Sequence, residues 1–149
     1  RQRLLDEAVT ALKNAIALRP DLAPILVELG ETYFDMGELD KAQQVLMSAL
    51  TLEPDQPAAL YALGRCQLEQ GQVAEASKNL EKAARINRRL PKIDYYLGLA
   101  YGKNNKLVDA HYHFGVHYKR KGSLRNAQFH FQEALRLTDD PKEKEILNK

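Results

Sequence analysis

The stretch Leu29-Gly30-Glu31-Thr32-Tyr33 decides the fold, because its pattern returns at a fixed interval along the chain. Leu63-Gly64 repeats the pair Leu29-Gly30, and Leu97-Gly98 repeats it again at the same interval. A fixed period between 20 and 50 residues is typical of proteins built from stacked repeats. The sequence therefore predicts repeated units that lean on one another, because a single small unit cannot bury its apolar face alone.

Apolar residues recur at spacings of three and four, and no useful stretch alternates with a period of two, so every unit should be helical. Gly37 and Gly71 fall between the periodic segments, where glycine takes the left-handed conformation that ends a helix. Asn104-Asn105 stands at the next turn, and asparagine tolerates the same conformation. We expect an all-α chain of about eight antiparallel helices, near residues 2–18, 23–36, 39–52, 57–70, 73–86, 91–103, 107–121 and 124–137.

Small residues recur where the two helices of a pair should cross. Gly30 and Gly64 remove side-chain bulk, so the backbones approach closely, and Leu46 and Leu80 fill the space beside them. Phe114-Gly115 follows Leu97-Gly98 after only half of the repeat interval, so the helix near 107–121 fits the role of a second helix and also of a first helix. The sequence therefore predicts a half-repeat step near residues 91–122.

We expect a single domain over residues 1–149. Its parts would be the second helix of a truncated repeat at 1–20, full repeats at 23–56 and 57–90, a half repeat at 91–107, a final repeat at 108–141 and a polar tail at 142–149. The chain begins at Arg1 inside a helical pattern, which indicates a piece of a longer protein. No targeting segment is visible, so a cytoplasmic and a periplasmic location both stay open.

The composition, with 44% apolar and 28% charged residues, is that of a folded chain. Residues 1–56 carry 5 basic and 10 acidic residues, whereas residues 57–149 carry 17 basic and 10 acidic residues. Such a polarised surface suits an interaction module. The run Lys119-Arg120-Lys121 is too short to predict nucleic-acid binding, no apolar run is long enough to span a bilayer, and the lone Cys66 excludes an internal disulfide.

Catalytic motifs are not recognisable in the sequence. No Ser-His-Asp, Cys-His or glycine-rich phosphate motif stands out, so we expect no enzyme and no cofactor. His113 and His117 lie four residues apart on one helix, a spacing that suits a metal, with His111 and His130 as further candidates. The segment lacks the glutamate of a zinc protease helix, and partly buried histidines at a helix interface are the alternative. We predict no metal site.

The repeated positions resemble the tetratricopeptide repeat family, whose 34-residue unit has Leu-Gly, Tyr, Gly, Ala, Phe, Ala and Pro at set offsets. The first unit carries Leu26, Leu29-Gly30, Tyr33, Gly37, Ala42, Leu46, Ala49 and Pro54 at those offsets. The second unit departs from the pattern at Gln67, where Tyr is usual, and at Arg88, where Pro is usual. The resemblance implies a right-handed superhelical solenoid and a scaffold that binds a peptide or protein segment in its concave groove.

The groove face can be assigned because it lies opposite the core face of each first helix, at about 100° per residue. Tyr61, Tyr95 and Tyr112 recur there at one offset, and tyrosine is favoured at interfaces. The basic residues beside them favour an acidic peptide with apolar anchors. The alternative is that these tyrosines pack against neighbouring helices. The predicted peptide-binding residues are Glu31, Phe34, Tyr61, Arg65, Lys92, Tyr95, Lys103, Tyr112, Lys119 and Arg120.

Chaperone-binding members of the family clamp a terminal carboxylate with Lys and Asn, but Val27 and Glu31 stand at the matching offsets here, so that clamp is absent. The run from Tyr96 to Lys103 and the segment Tyr118–Gly122 resemble the C-terminal repeats of bacterial zinc metalloproteases of the peptidase family M48 type. This resemblance implies an accessory substrate- or partner-binding domain whose catalytic part lies outside the chain. Self-association into a homo-oligomer through exposed solenoid ends is the remaining alternative.

Overall fold

The computed structural model describes all 149 residues and contains α-helices but no β-strand. The predicted all-α architecture is confirmed. The helix count is nine rather than about eight, because Asp140 caps a short helix in the polar tail by accepting a hydrogen bond from the backbone N–H of Lys142. The helices are α1 Gln2–Leu18, α2 Ala23–Asp35, α3 Leu39–Leu52, α4 Pro57–Glu69, α5 Val73–Ile86, α6 Ile93–Lys103, α7 Leu107–Arg120, α8 Leu124–Leu137 and α9 Pro141–Leu147.

Left-handed residues end four of the helices. Gly37, Gly71 and Gly122 have φ angles of 78°, 76° and 75°, and Asn105 takes their place after α6 with a φ of 58°. The predicted glycine caps and their asparagine substitute are thus confirmed. In each case the next residue donates its backbone N–H to a carbonyl one turn back in the helix, as Glu38 does to Tyr33, which satisfies an otherwise unpaired terminal group.

Each helix pair closes over a glycine. A Cβ built on Gly30 of α2 would lie 2.5 Å from Cγ of Leu46 on α3, so only hydrogen fits there. Gly64 of α4 stands in the same relation to Leu80 of α5, where a Cβ would lie 2.7 Å from Cγ. Leu46 and Leu80 are fully buried, as the sequence predicted for the crossing points.

Helix α7 takes part in two contacts in which a glycine of one helix packs against a large side chain of the next. Phe114 on α7 lies against Gly98 of α6, and Gly115 on α7 lies against Phe131 of α8. The helix therefore acts as the second member of one pair and the first member of the next. This double role is the half-repeat step that the shortened spacing predicted.

The chain divides into two compact units, Arg1–Leu90 with helices α1 to α5 and Pro91–Lys149 with helices α6 to α9. Within Arg1–Leu90, Cys66 is fully buried, its Sγ donates to the carbonyl of Leu39, and burial raises the pKa of the thiol. None of the nine helices has the length and apolar character that crossing a bilayer requires.

Candidate peptide-binding surface

Four of the predicted site residues meet on neighbouring helices α2 and α4, and we call this set the arginine patch: Glu31, Phe34, Tyr61 and Arg65. The guanidinium carbon of Arg65 lies 4.6 Å from the ring centroid of Phe34 and 5.4 Å from that of Tyr61. Its Nη1 lies 4.0 Å from Oε1 of Glu31. Cation–π contacts of this kind hold an arginine side chain in place.

The charge around the arginine patch is mixed. Burial raises the pKa of Glu31, and the carboxylates of Glu28 and Asp35 act in the same direction, whereas the charge of Arg65 lowers it. The side chain of Glu31 is 47% exposed and that of Arg65 is 21% exposed. The long contact between them is therefore a weak surface ion pair, which an incoming group can replace at little cost.

Tyr61 is the buried member of the arginine patch. Its residue is 7% exposed, so the ring is an internal support for Arg65 and not a free contact surface. Phe34 remains half-buried and presents part of its ring. The solvent-exposed part of the patch is thus limited to the 21% of the Arg65 side chain that reaches water and to part of Phe34, and the alternative of tyrosine packing describes Tyr61 better than groove exposure does.

Tyr95 also packs against its neighbours. Its ring centroid lies 5.4 Å from that of Tyr96, 5.8 Å from that of Phe114 and 5.4 Å from the imidazole of His117, so it belongs to an aromatic layer between α6 and α7. Lys92 and Lys103 are exposed and flank α6 at its opposite ends. The structure does not bring these three residues together in one site.

The last three predicted residues, Tyr112, Lys119 and Arg120, line a cavity of about 810 Å³ that α9 forms with α7 and α8, and we call it the terminal cavity. Its other walls are mainly apolar, with Leu124, Phe131 and Leu135 from α8. Arg120 also reaches across to α6, where its Nη1 donates to Oδ2 of Asp94 at 2.6 Å. An apolar cavity with a few basic groups at its edge is a ligand-binding shape.

The histidines belong to helix interfaces in Pro91–Lys149. His113 places Nδ1 2.9 Å from Oδ1 of Asp94, a carboxylate that is 1% exposed. The two Nδ1 atoms of His111 and His130 lie 2.9 Å apart between α7 and α8, and His130 stacks on Tyr118. No group of three or more His, Cys, Asp or Glu side chains has an arrangement that could hold a metal ion.

Sequence reasoning missed two features of this surface. It did not single out Asp94, because its partners His113 and Arg120 lie 19 and 26 residues away and follow no motif. It also missed the apolar wall of the terminal cavity. Comparing Phe131 and Leu135 with the repeat-equivalent Leu46 and Leu50, which α4 covers in the first unit, would have found that wall.

Antiparallel helix pairs that close over repeated glycines define an α-helical repeat protein. The family model that matches the chain is the tetratricopeptide repeat, over residues 21–89. Residues 21–89 thus match the tetratricopeptide repeat family, which confirms that predicted resemblance, and the resemblance to the repeats of M48-type proteases stays a prediction. Such repeats are scaffolds for protein–protein interaction and are in general not enzymes.

Solved structures with the same fold cover nearly the whole chain. The crystal structure of MamA is 25% identical, with 95% of this chain and 90% of that chain covered and a TM-score of 0.64. YrrB, described as a tetratricopeptide repeat protein with an unusual peptide-binding site, is 19% identical over 95% of this chain and 81% of its own, with a TM-score of 0.64. PilF of Pseudomonas aeruginosa is 20% identical over 92% and 70%, with a TM-score of 0.65. No curated protein sequence matches the chain significantly.

Proposed function

We propose that this chain is a protein-interaction module and that the unit Arg1–Leu90 binds a peptide segment across the face of α2 and α4 that carries the arginine patch. The observation that carries the proposal is the guanidinium of Arg65, held over the rings of Phe34 and Tyr61. A planar guanidinium that two rings already orient loses little freedom when it pairs with a carboxylate. An acidic side chain next to an apolar anchor would use Arg65 and the exposed edge of Phe34 together.

Tetratricopeptide repeats supply the right kind of surface for this role, because stacked first helices present residues of equal offset side by side. Glu31 and Arg65 occupy the same offset in successive repeats and lie next to each other, as that rule requires. The accessory protease domain and self-association stay hypotheses from the sequence, since no contact in the structure favours either over the scaffold.

A random peptide library displayed on phage tests the proposal. We expect the immobilised protein to select peptides that combine Asp or Glu with an aromatic or aliphatic residue. Fluorescence anisotropy should then show that Arg65→Gln weakens a selected peptide about tenfold or more, because hydrogen bonds to charged groups contribute about 1.5–3 kcal/mol. Arg65→Lys should lose most of the same affinity, since lysine lacks the planar fork.

Arg85→Gln is the matched control, because Arg85 is an exposed arginine on α5 of the same unit and is not part of the patch. Circular dichroism should show the same helix content for all three variants. Equal binding by the wild-type and Arg65→Gln proteins would show that the arginine patch is not the binding site.

A further inference from the structure

A groove lies between α3 and α5 in the unit Arg1–Leu90. Both helices pack on α4, which contributes the buried residues Leu63 and Gln67 to the floor of the groove. The volume of the groove is about 590 Å³, within the range of ligand-binding sites. We call it the amide groove, and the residues that define it are Gln43, Leu50, Leu63, Gln67, Gln72 and Asn79.

The amide groove is polar at positions that are apolar in the preceding repeat. Three apolar side chains there pack together between α1, α2 and α3, namely Val9, Tyr33 and Val45. The same three positions one repeat later carry amides, in the order Gln43, Gln67 and Asn79. The sequence pattern marked Gln67 as a departure, and the structure shows two further departures beside it. Local rules of packing are broken most often at functional sites.

The amides of Gln67 and Asn79 use only part of their hydrogen-bonding capacity on each other. Nδ2 of Asn79 donates to Oε1 of Gln67 at 2.8 Å, and Gln67 is 6% exposed. The NH2 group of Gln67 and the side-chain oxygen of Asn79 have no protein partner, and both are open to the groove. A nearly buried side chain thus presents a donor, and its neighbour presents an acceptor, to any group that enters.

This pair of groups complements a peptide backbone. A primary amide and a peptide group carry the same N–H donor and carbonyl acceptor, so each can pair with the other. An extended segment has backbone groups to offer, whereas a helix pairs its own. Glu75 is the only charged residue of the lining, and no aromatic ring lines the groove as a platform for a sugar. An uncharged backbone is therefore the best complement.

We propose that the amide groove binds an extended segment of a partner protein, whose backbone N–H and C=O groups pair with Gln67 and Asn79. Gln43 on α3 supplies a further amide from the opposite wall. An aliphatic side chain of the segment lies against Leu50 and Leu63, which are the apolar part of the same lining. Main-chain hydrogen bonds give such a segment its affinity, and the aliphatic position gives it specificity.

The preceding repeat supplies a variant that closes the amide groove. Gln67→Tyr combined with Asn79→Val places there the residue types of Tyr33 and Val45. We expect this double variant to keep the helix content of the wild type in circular dichroism, because the same pair packs within the core cluster of the preceding repeat. The double variant retains the arginine patch, so it separates the two sites.

A phage-displayed library of linear peptides tests the proposal. The library is first depleted on the immobilised double variant, which removes peptides that bind the arginine patch, and is then selected on the wild-type protein. We expect enriched peptides to share one aliphatic residue. Fluorescence anisotropy with one labelled, enriched peptide should show that the double variant binds it at least about tenfold more weakly, since two hydrogen bonds are lost.

Methylation of the peptide backbone tests the pairing itself. Each backbone N–H of the enriched peptide is methylated in turn, which removes one donor at a time. We expect at least one methylated peptide to bind about three- to tenfold more weakly, which is the contribution of one hydrogen bond. Peptide N–H groups that face solvent are the internal control, because their methylation should leave the affinity unchanged.

Two adjacent glutamines give a matched pair of protein variants. Gln43→Val removes an amide of the groove and should weaken the enriched peptide. Gln44→Val makes the same change at an exposed residue outside the lining and should bind as the wild type does. Arg65→Gln should also bind as the wild type does, so a failure of this proposal is distinguishable from a failure of the proposed function.

Four outcomes would overturn the proposal. They are a library without enriched peptides, equal affinity of an enriched peptide for the wild-type and Gln43→Val proteins, affinities that no backbone methylation changes, and a helical bound peptide in circular dichroism. A glycan that binds the wild type but not the double variant would instead assign the groove to a carbohydrate. A dimer in sedimentation that the double variant abolishes would assign it to a second copy of this chain.

Discussion

Gly98 and Gly102 lie one turn apart on α6 and meet different surroundings. A Cβ on Gly98 would come within 2.8 Å of two ring atoms of Phe114, whereas a Cβ on Gly102 would meet nothing closer than the Cβ of Ala110 at 3.8 Å. The first distance is a clash and the second is an ordinary contact. Comparing the two positions therefore distinguishes the steric need for glycine next to Phe114 from the general effect of glycine on helix stability.

We predict that Gly98→Ala destabilises the protein by about 1–3 kcal/mol, because the ring of Phe114 must move within a packed interface. Gly102→Ala should be neutral or stabilising by up to about 1 kcal/mol, since alanine is the better helix former. Urea denaturation followed by circular dichroism measures both. A Gly98→Ala protein as stable as Gly102→Ala would contradict the packing role of Gly98.

Steric requirements at single residues were predictable because they repeat. The contacts of Gly30 and Gly64 follow from a glycine and a leucine that recur at a fixed offset. The exposure of Tyr61 and Tyr95 was not predictable in this way, because the helix offset fixes only which face a side chain leaves from. Which neighbours then cover the ring depends on side chains of other helices, such as Phe114 and His117 for Tyr95.

At the scale of the element, a buried carboxylate joins α6 to α7. Asp94 on α6 is 1% exposed and lies 2.9 Å from Nδ1 of His113 and 2.6 Å from Nη1 of Arg120, both on α7. The side chain of Arg120 is 48% exposed, so its charge keeps part of its hydration. The buried carboxylate is the member of this group that most needs its partners.

We predict that Asp94→Ala destabilises the protein by about 1.5–3 kcal/mol, because hydrogen bonds to a charged group are lost while Arg120 can turn to water. Asp139→Ala removes an exposed carboxylate of the same unit and should change stability by less than about 0.5 kcal/mol. The midpoint of urea denaturation at neutral pH measures the difference. Similar midpoints for the two variants would argue against the α6–α7 link.

Helix boundaries were largely predictable at this scale. Helices α3, α5 and α8 begin and end at the residues that the periodicity indicated. Helix α6 begins at Ile93 and not near residue 91, because Pro91 precedes a residue, Lys92, with a left-handed φ of 55°. The surrounding structure determines this backbone conformation in a non-glycine residue, so the local sequence pattern did not predict it.

At the scale of the whole molecule, the histidines are unevenly distributed between the two compact units. All four histidines lie in Pro91–Lys149 and none lies in Arg1–Leu90. Burial and then the charge of His111 lower the pKa of His130. Burial and then the charge of Lys121 lower the pKa of His117, with Lys92 acting in the same direction and Asp94 against it.

We predict that mild acid loosens the second unit selectively. A histidine whose pKa is lower in the folded state contributes stability that is complete above its unfolded pKa near 6.5 and is lost as the pH falls below that value. Hydrogen exchange corrected for intrinsic rates, compared at about pH 7.5 and about pH 5.5, should show lost protection in α7 and α8 but not in α3 to α5.

His130→Gln is the control for this prediction, because glutamine does not titrate in the range. Its α7 and α8 amides should show a smaller change with pH than those of the wild type. Equal loss of protection in both units of the wild-type protein would show that the histidines are not responsible.

The terminal cavity was beyond the reach of the sequence pattern. Repeat periodicity predicts which residues of one helix face the next helix, but it does not predict how completely that next helix covers them. Phe131 is partly buried, whereas its repeat-equivalent Leu46, which packs against α4, is fully buried. The peptide-binding role of the ten predicted residues stays a prediction.

Cys66 has a practical consequence. It is the only cysteine in the chain, and its side chain is fully buried in the folded protein. Because burial raises the pKa of the thiol, little of it is present as the reactive thiolate. An alkylating reagent can therefore react with Cys66 only when the unit Arg1–Leu90 opens. The rate of labelling therefore measures how often the unit Arg1–Leu90 opens, without an engineered cysteine. The unit Pro91–Lys149 has no cysteine, so it is not labelled.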